Sequence, residues 1–397
     1  MVLIKYLLPA LAAGRLAFAA NDPCDGSSNP ISIQSQGDAD NLNCTIIKGS
    51  LTINEKTANS ITLNGIQQIS GNLIAKGAKD LTSLSAPSLE SIGQAMIFNG
   101  LITLTTASFP ILASVGSIQW DALPNLQSLN FDQGISKADS VEITNTGLTS
   151  LNGISLGTVG NFDITANTAL TQVNVGNITN CTGLLNFAGN SLKLQIQFPN
   201  LVSGQNMTFR NTSGVSVPSL KSLSGQLGFF SNGFSNFAAP NLTKTGDVVF
   251  DSNSNLVNIS LPRLSKVNGG FQISNNDKFT VIDGFPQLQS IVGALDFSGA
   301  FNNVSLPNLQ EVKGGFNMQS TGSFQCSQFD TLHNNNVIQG SYTCKASTSN
   351  PTTMGGTGTS TSSGSASSSS KSSASNLANV EMVGLTAIIG SLLQAML

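Results

Sequence analysis

Along this chain one phrase keeps returning: an apolar residue, any residue, then another apolar residue, most often entered from glycine. It reads Gly49-Ser50-Leu51-Thr52-Ile53, then Gly160-Asn161-Phe162-Asp163-Ile164, then Gly246-Asp247-Val248-Val249-Phe250. Alternation of this kind predicts a strand with two inward side chains and one outward side chain between them. The first apolar residues fall at Ile31, Leu51, Leu73, Ala95, Ile118, Val141, Phe162, Leu185, Met207, Leu227, Val248, Phe271, Leu295 and Phe316, in steps of 20 to 24 residues. A unit of that size cannot bury its apolar face alone and must stack on its neighbours. The period therefore predicts an all-β solenoid of about 14 rungs over residues 31–324.

A second apolar element follows each phrase, as in Leu170-Thr171-Gln172-Val173 and Leu256-Val257-Asn258-Ile259. A third is carried by proline, at Pro87-Ser88-Leu89, Pro110-Ile111-Leu112, Pro124-Asn125-Leu126, Pro218-Ser219-Leu220, Pro240-Asn241-Leu242, Pro262-Arg263-Leu264, Pro286-Gln287-Leu288 and Pro307-Asn308-Leu309. Proline cannot donate to a ladder, so it marks a corner, with the following Leu turned inward. Three apolar elements per rung make a flattened coil with three sides, and no helical period is needed between residues 31 and 324.

Asparagine recurs just after the first strand, at Asn99, Asn145, Asn167, Asn190, Asn211, Asn232, Asn253 and Asn276. It tolerates left-handed backbone and bonds its own turn, so one stack of these residues is expected to hold the corners in register. The second inward position becomes aromatic at Phe187, Phe209, Phe229, Phe250 and Phe297, which predicts an internal ladder of rings. A sugar-stacking groove is the other use for such rings, but their inward parity favours core. Trp120 shares that column and reading.

Composition narrows the class. Of 397 residues only 9% are charged and the net charge is −3, which excludes the dense basic face of a nucleic-acid-binding protein. Residues 1–19 carry Lys5, an apolar run and the small-residue end Ala17-Phe18-Ala19, and read as a signal peptide cleaved after Ala19, although Arg15 interrupts the run. The run is too short for a retained anchor. Five cysteines suit the oxidising compartment that follows. Cys24 and Cys44 bracket the first rung, and Cys326 and Cys344 bracket the segment after the last, so a local bridge is inferred at each end; four cysteines allow three connectivities. Cys181 is left over and reads as a buried or glycan-shielded thiol in preference to an intermolecular bridge.

Residues 346–375 are rich in Ser and Thr, with Gly and Ala and almost no large apolar side chain, and read as a disordered, O-glycosylated stalk. The apolar end from Met382 to Leu397 has no charge after Glu381 and no basic flank. Small residues, a spacer and such an end make a GPI attachment signal over residues 376–397, with Asn376 or Ser373 as the acceptor.

Asn-x-Ser/Thr acceptors stand at Asn177, Asn180, Asn206, Asn211, Asn241, Asn258 and Asn303, with a poorer one at Asn43, and none falls between residues 46 and 176. The early rungs are thus expected to keep a glycan-free surface. The single histidine, His333, lies among asparagines and reads as a surface residue, and no serine triad, metal cluster or cofactor site is visible. Asp121, Glu142 and Asp163 should all face outward on adjacent rungs, at the separation glycoside hydrolysis uses. Outward strand positions are polar by construction, so a solvated acidic face is the favoured account of all three.

The rungs, the terminal cysteine pairs and the tail together resemble the fungal GPI-anchored cell-wall-organisation glycoproteins, the extracellular-mutant and sporulation-specific family. That resemblance implies a receptor-L-domain-like body over residues 20–345, a right-handed β-helix related to leucine-rich repeats. It also implies a surface protein anchored to membrane lipid or passed to wall glucan, supporting wall integrity by binding or scaffolding, with glucan or wall proteins as partners and no enzyme activity. The alternatives are a wall-polysaccharide glycosidase using the outward acids and a receptor-like protein-binding module.

Overall fold

The computed structural model describes residues 22–57 and 59–354. The signal peptide expected over residues 1–19, the greater part of the expected stalk, and the expected attachment region with Ser373 and Asn376 lie outside those residues. What is described is one parallel coil. Each repeat of the apolar phrase is a strand lying in register on the next, so that Ile31 pairs with Leu51, Leu51 with Leu73, and so on to Leu295 with Phe316. Every strand pairing is parallel, and the strands read as apolar because their inner face meets a closed core.

The register corrects the ruler once and extends it once. Leu73 pairs with Met96, not Ala95, which pairs with Ser117 beyond a shift between Ile92 and Ala95. Counting from the sequence slipped by one here because both residues are apolar and either choice gives steps of 22 and 23 residues. After Phe316 the strand Tyr342–Lys345 adds a fifteenth rung, with Tyr342 on Phe316 and Cys344 on Met318. Its entry follows a longer excursion that the regular spacing did not reach.

One broad sheet carries the repeated phrase. The opposite side carries short strands in separate groups: Asn59–Thr62 with Leu81–Ser85 and Thr106–Ser108, Gln172–Asn174 with Gln195–Gln197 and Gly214–Ser216, Asn236–Ala238 with Asn258–Ser260, and Val281–Ile282 with Asn303–Val304. The proline corners close the section, and the Leu after each proline is buried, from Leu89 to Leu309. Inside, Phe187, Phe209, Phe229 and Phe250 stack ring on ring, at 6.0, 5.3 and 4.8 Å between centroids. Ile273 ends that ladder, and Phe297 meets Phe271 edge-on at 85° instead of extending the stack. Trp120 is buried and lies flat on Phe98.

The asparagines divide into two neighbouring columns. Asn145 and Asn211 occupy left-handed backbone with φ of 53° and 57°, alongside Ala122, Ala166, Gly189, Ser231, Ser252 and Asn275 on other rungs. The residue after each turns inward: Leu123, Thr146, Asn167, Asn190, Thr212, Asn232, Asn253 and Asn276, all buried and all but Leu123 polar. Asn99 lies outside the inward column too; it is exposed and bonds Asp121. The two abilities that the sequence reading gave to one residue, left-handed backbone and amide bonding, are thus served by two adjacent positions.

Both ends are capped. At the first, Ser35 and Asp38 form a capping box on the helix Gln36–Asn41, which corrects the expectation of no helix between residues 31 and 324. A polar six-residue helix carries no apolar period, and Ala39 alone buries against the open end of the core. Cys24 is bonded to Cys44 there. At the far end the helix Ser327–Asn334 sets Phe329 on Phe316, with ring centroids 5.1 Å apart, and Cys326 is bonded to Cys344.

Candidate functional site

The three outward acids do not form one column. Parallel register places Glu142 between Gln119 and Asp163, whereas Asp121 pairs with Thr144, two residues further along the strand. Side chains that follow Trp120 and that precede Ile143 are both outward, but period-2 parity does not say which outward position they take. All three acids stand on successive rungs, but of them only Glu142 and Asp163 are register partners. Asp163 accepts a 2.8 Å hydrogen bond from the Asn186 amide, and Asp121 accepts one of 3.0 Å from Asn99. No group of three or more His, Cys, Asp or Glu placed to hold a metal ion occurs among the described residues.

His333 lies exposed on the terminal helix, its ring stacked on Tyr342 at 4.6 Å, and Tyr342 donates to Asp330 at 2.7 Å. Partial burial, and after it the Asp330 carboxylate, raise the phenol well above its ordinary range. This cluster pins the last rung to its cap. Cys181 is unpaired and fully buried, its thiol donating to the Gly160 carbonyl at 3.2 Å, and burial pushes its pKa up. It has the environment of a packed apolar side chain.

The acceptor asparagines are spread around the coil. Asn177 and Asn241 are on corners, where their amides bond the Ser155 and Pro218 carbonyls of the preceding turn. Asn258 and Asn303 begin short strands on the minor side and are exposed. Asn211 holds a left-handed corner, and Asn180 and Asn206 lie within strands of the broad sheet, where they accept from Ser203 and the Gln226 N–H.

Two features were not anticipated. The first is a strap. Residues 346–354, expected as the start of a disordered stalk, lie against the outer face of the last rungs. The Asn317 amide donates to the Thr352 carbonyl at 2.6 Å, Gln319 donates to Thr352 Oγ1 at 3.2 Å, and the Met354 N–H donates to Asp296 at 2.9 Å. Burial raises the Asp296 carboxyl, and the Asn317 and Met354 donors pull it part of the way back. Polar composition hid this segment, because it is held by hydrogen bonds to outward polar residues and not by an apolar face.

The second is a groove of about 620 Å³ on the minor side, lined by residues including Gln195, Gln197, Ser216, Asn236, Asn255 and Val257. It opens where the ladder that ends at Gly214–Ser216 gives way to the separate pair that begins at Asn236–Ala238. Its signal in the sequence was the shortened step from Met207 to Leu227 beside Gly214.

Residues 1–43 match the family model described as Ecm33, GPI-anchored cell wall organization protein. Over its whole length the chain is 54% identical to protein ecm33 of Aspergillus fumigatus, all of which is covered. It is 44% identical to a cell surface GPI-anchored protein of Arthroderma benhamiae, over 89% of this chain and 90% of that one. Sporulation-specific protein 22 of Saccharomyces cerevisiae is 28% identical over 65% of this chain and 56% of its own. No solved structure matches. The chain belongs to the Ecm33 family of GPI-anchored cell wall organisation proteins.

Proposed function

We propose that this coil serves the wall as a rigid binding scaffold that does no chemistry of its own. As a family member the chain is a protein of the cell surface and cell wall. A glycan-modifying enzyme would need two carboxylates converging on one bond, with one of them free to carry a proton. The observation that carries the proposal is the register: Asp121 falls two positions from the Glu142 column, and the Asn186 amide occupies Asp163. What remains is a long, polar, sparsely charged surface on an apolar core, suited to holding a partner in place.

Several parts of the proposal come from the chain's ends and its acceptors. The signal peptide is removed after Ala19, and the GPI lipid joins Asn376 or Ser373, so membrane lipid is one partner and wall glucan or wall proteins are the others. Sugars at Asn177, Asn180, Asn206, Asn211, Asn241, Asn258 and Asn303 cover the later rungs. The acceptor-free early rungs, where Ile46 and Ile102 stand partly exposed, are left for contact.

The test is to incubate the full chain with insoluble wall polysaccharide and measure both retention and newly released reducing ends. Retention without release, unchanged in Glu142→Gln, is expected. Release that disappears in Glu142→Gln would overturn the non-catalytic reading, and a chain that is not retained would overturn the binding one.

A further inference from the structure

The groove on the minor side follows from how the chain turns there. Nineteen residues carry it from Leu194 to Ser213, whose Oγ donates to the Leu194 carbonyl, whereas 22 and 24 separate partners of the same column on the preceding turns, Thr149 and Thr171 and then Thr171 and Gln195. The shortened turn brings in the strand Gly214–Ser216, and Gly214 offers no side chain: the space its Cβ would take is filled by the Gln195 amide. The next strand on this side, Asn236–Ala238, pairs only with Asn258–Ser260, so the wall is interrupted between Ser216 and Asn236.

The lining is chemically one-sided. Gln195, Gln197, Asn236 and Asn255 bring amides, each with both donors and acceptors, and Ser216 brings a hydroxyl. Val257, 51% exposed, supplies an apolar patch beside them. None of the lining residues is acidic. The lone cation, Lys278, spends a donor on Asn255 at 2.8 Å. Such a surface is rich in hydrogen-bonding partners and poor in field. It matches a neutral polyol, whose hydroxyls want paired donors and acceptors and whose C–H faces want an apolar seat, and it offers little to a phosphate or a polyanion. The groove is open and crosses several rungs about 4.8 Å apart, which suits a strand lying through it better than an enclosed small molecule.

We propose that this groove binds a strand of neutral hexose polymer, an inference that rests on the binding reading above, names a ligand class and adds a contact surface to the early rungs. The groove lies among the later rungs, beside Asn258, apart from the acceptor-free early surface. The chain's own sugar at Asn258 is thus the competing occupant.

The experiment titrates the full-length protein in detergent with a β-1,3-linked glucose hexamer and, separately, a mannose hexamer, following heat. Binding of either hexamer is expected, weakened about tenfold, or about 1.4 kcal/mol, in Gln197→Ala/Asn236→Ala and in Val257→Asp, with the urea midpoint unchanged. Affinity that stays at the unsubstituted level in both variants would overturn the proposal. So would binding that appears only in Asn258→Gln, which would make the groove the seat of the chain's own glycan. A protein that binds neither hexamer yet is retained on whole wall polysaccharide overturns the groove and leaves the binding scaffold standing. Failure of both assays overturns both.

Discussion

Asn253 Oδ1 accepts two hydrogen bonds from Asn232 on the preceding rung, at 2.9 Å from its backbone N–H and 3.0 Å from its side-chain amide. Asn253 in turn donates to the Phe229 carbonyl at 3.1 Å, and its own N–H and amide donate to Asn276. Each buried asparagine therefore satisfies backbone groups at a bend, where strand ladders cannot, and passes the register to the next rung.

Removing one member of this column should be far more damaging than removing its neighbour in the left-handed column. Asn253→Ala leaves the Asn232 N–H and the Phe229 carbonyl without partners in the core, at about 1–3 kcal/mol for each orphaned group. Asn145→Gly takes away an exposed side chain and relieves left-handed backbone, which costs a non-glycine residue about 1–2 kcal/mol. Urea unfolding should thus show a clearly lowered midpoint for Asn253→Ala and an equal or raised one for Asn145→Gly. Equal losses in both variants would mean that the two columns are not distinct.

Cys181 should behave as core. Its thiol is inaccessible and its pKa is raised by burial, so a maleimide at pH 8 should leave the folded chain unmodified and label it once after denaturation. Non-reducing electrophoresis should show no dimer. Rapid labelling of the native protein would contradict the packing around Gly160 and Val159.

How much of this was legible in the chain depended on what each feature is made of. The rungs, corners and terminal bridges were readable because they rest on apolar period, proline and cysteine, whose physical consequences are local. The Met96 register was not, since choosing between two adjacent apolar residues needs the shift after Ile92 to be known. Parity placed Glu142 and Asp121 on one face but could not separate two outward positions of one strand. The strap at Thr352 was invisible, and the groove beside Gly214 left only a shortened step, for a related reason. Both are made by polar residues meeting across many rungs, and composition records polarity without recording partners.

The strap gives a pH dependence with a definite sign. Burial raises the Asp296 carboxyl, and burial also raises Asp247, against the pull of the Gly270 N–H. A folded carboxyl that keeps its proton to higher pH binds more protons than the unfolded one, between about pH 3.9 and its own folded value. Stability attributable to these groups is therefore present at the acid end of that window and declines as pH rises through it. Asp22 and Asp25, exposed at the other end, have lowered pKa values and contribute the opposite slope. The comparison to make is between the unsubstituted chain and Asp296→Asn across about pH 4 to 7. The substituted chain should lose part of the downward trend, and an identical slope would show that Asp296 is not the group responsible.

The measurement that tests the whole account most directly is a pair of engineered cross-links between neighbouring rungs. Gln119 and Glu142 are register partners on adjacent parallel strands, at a spacing a disulfide can span, whereas Asp121 and Glu142 are offset by two residues along the strand. Under mild oxidation, Gln119→Cys/Glu142→Cys should close a bridge within the monomer and Asp121→Cys/Glu142→Cys should remain reduced. A bridge in the second variant and none in the first would contradict the register, and with it the separation of the acids on which the scaffold reading rests.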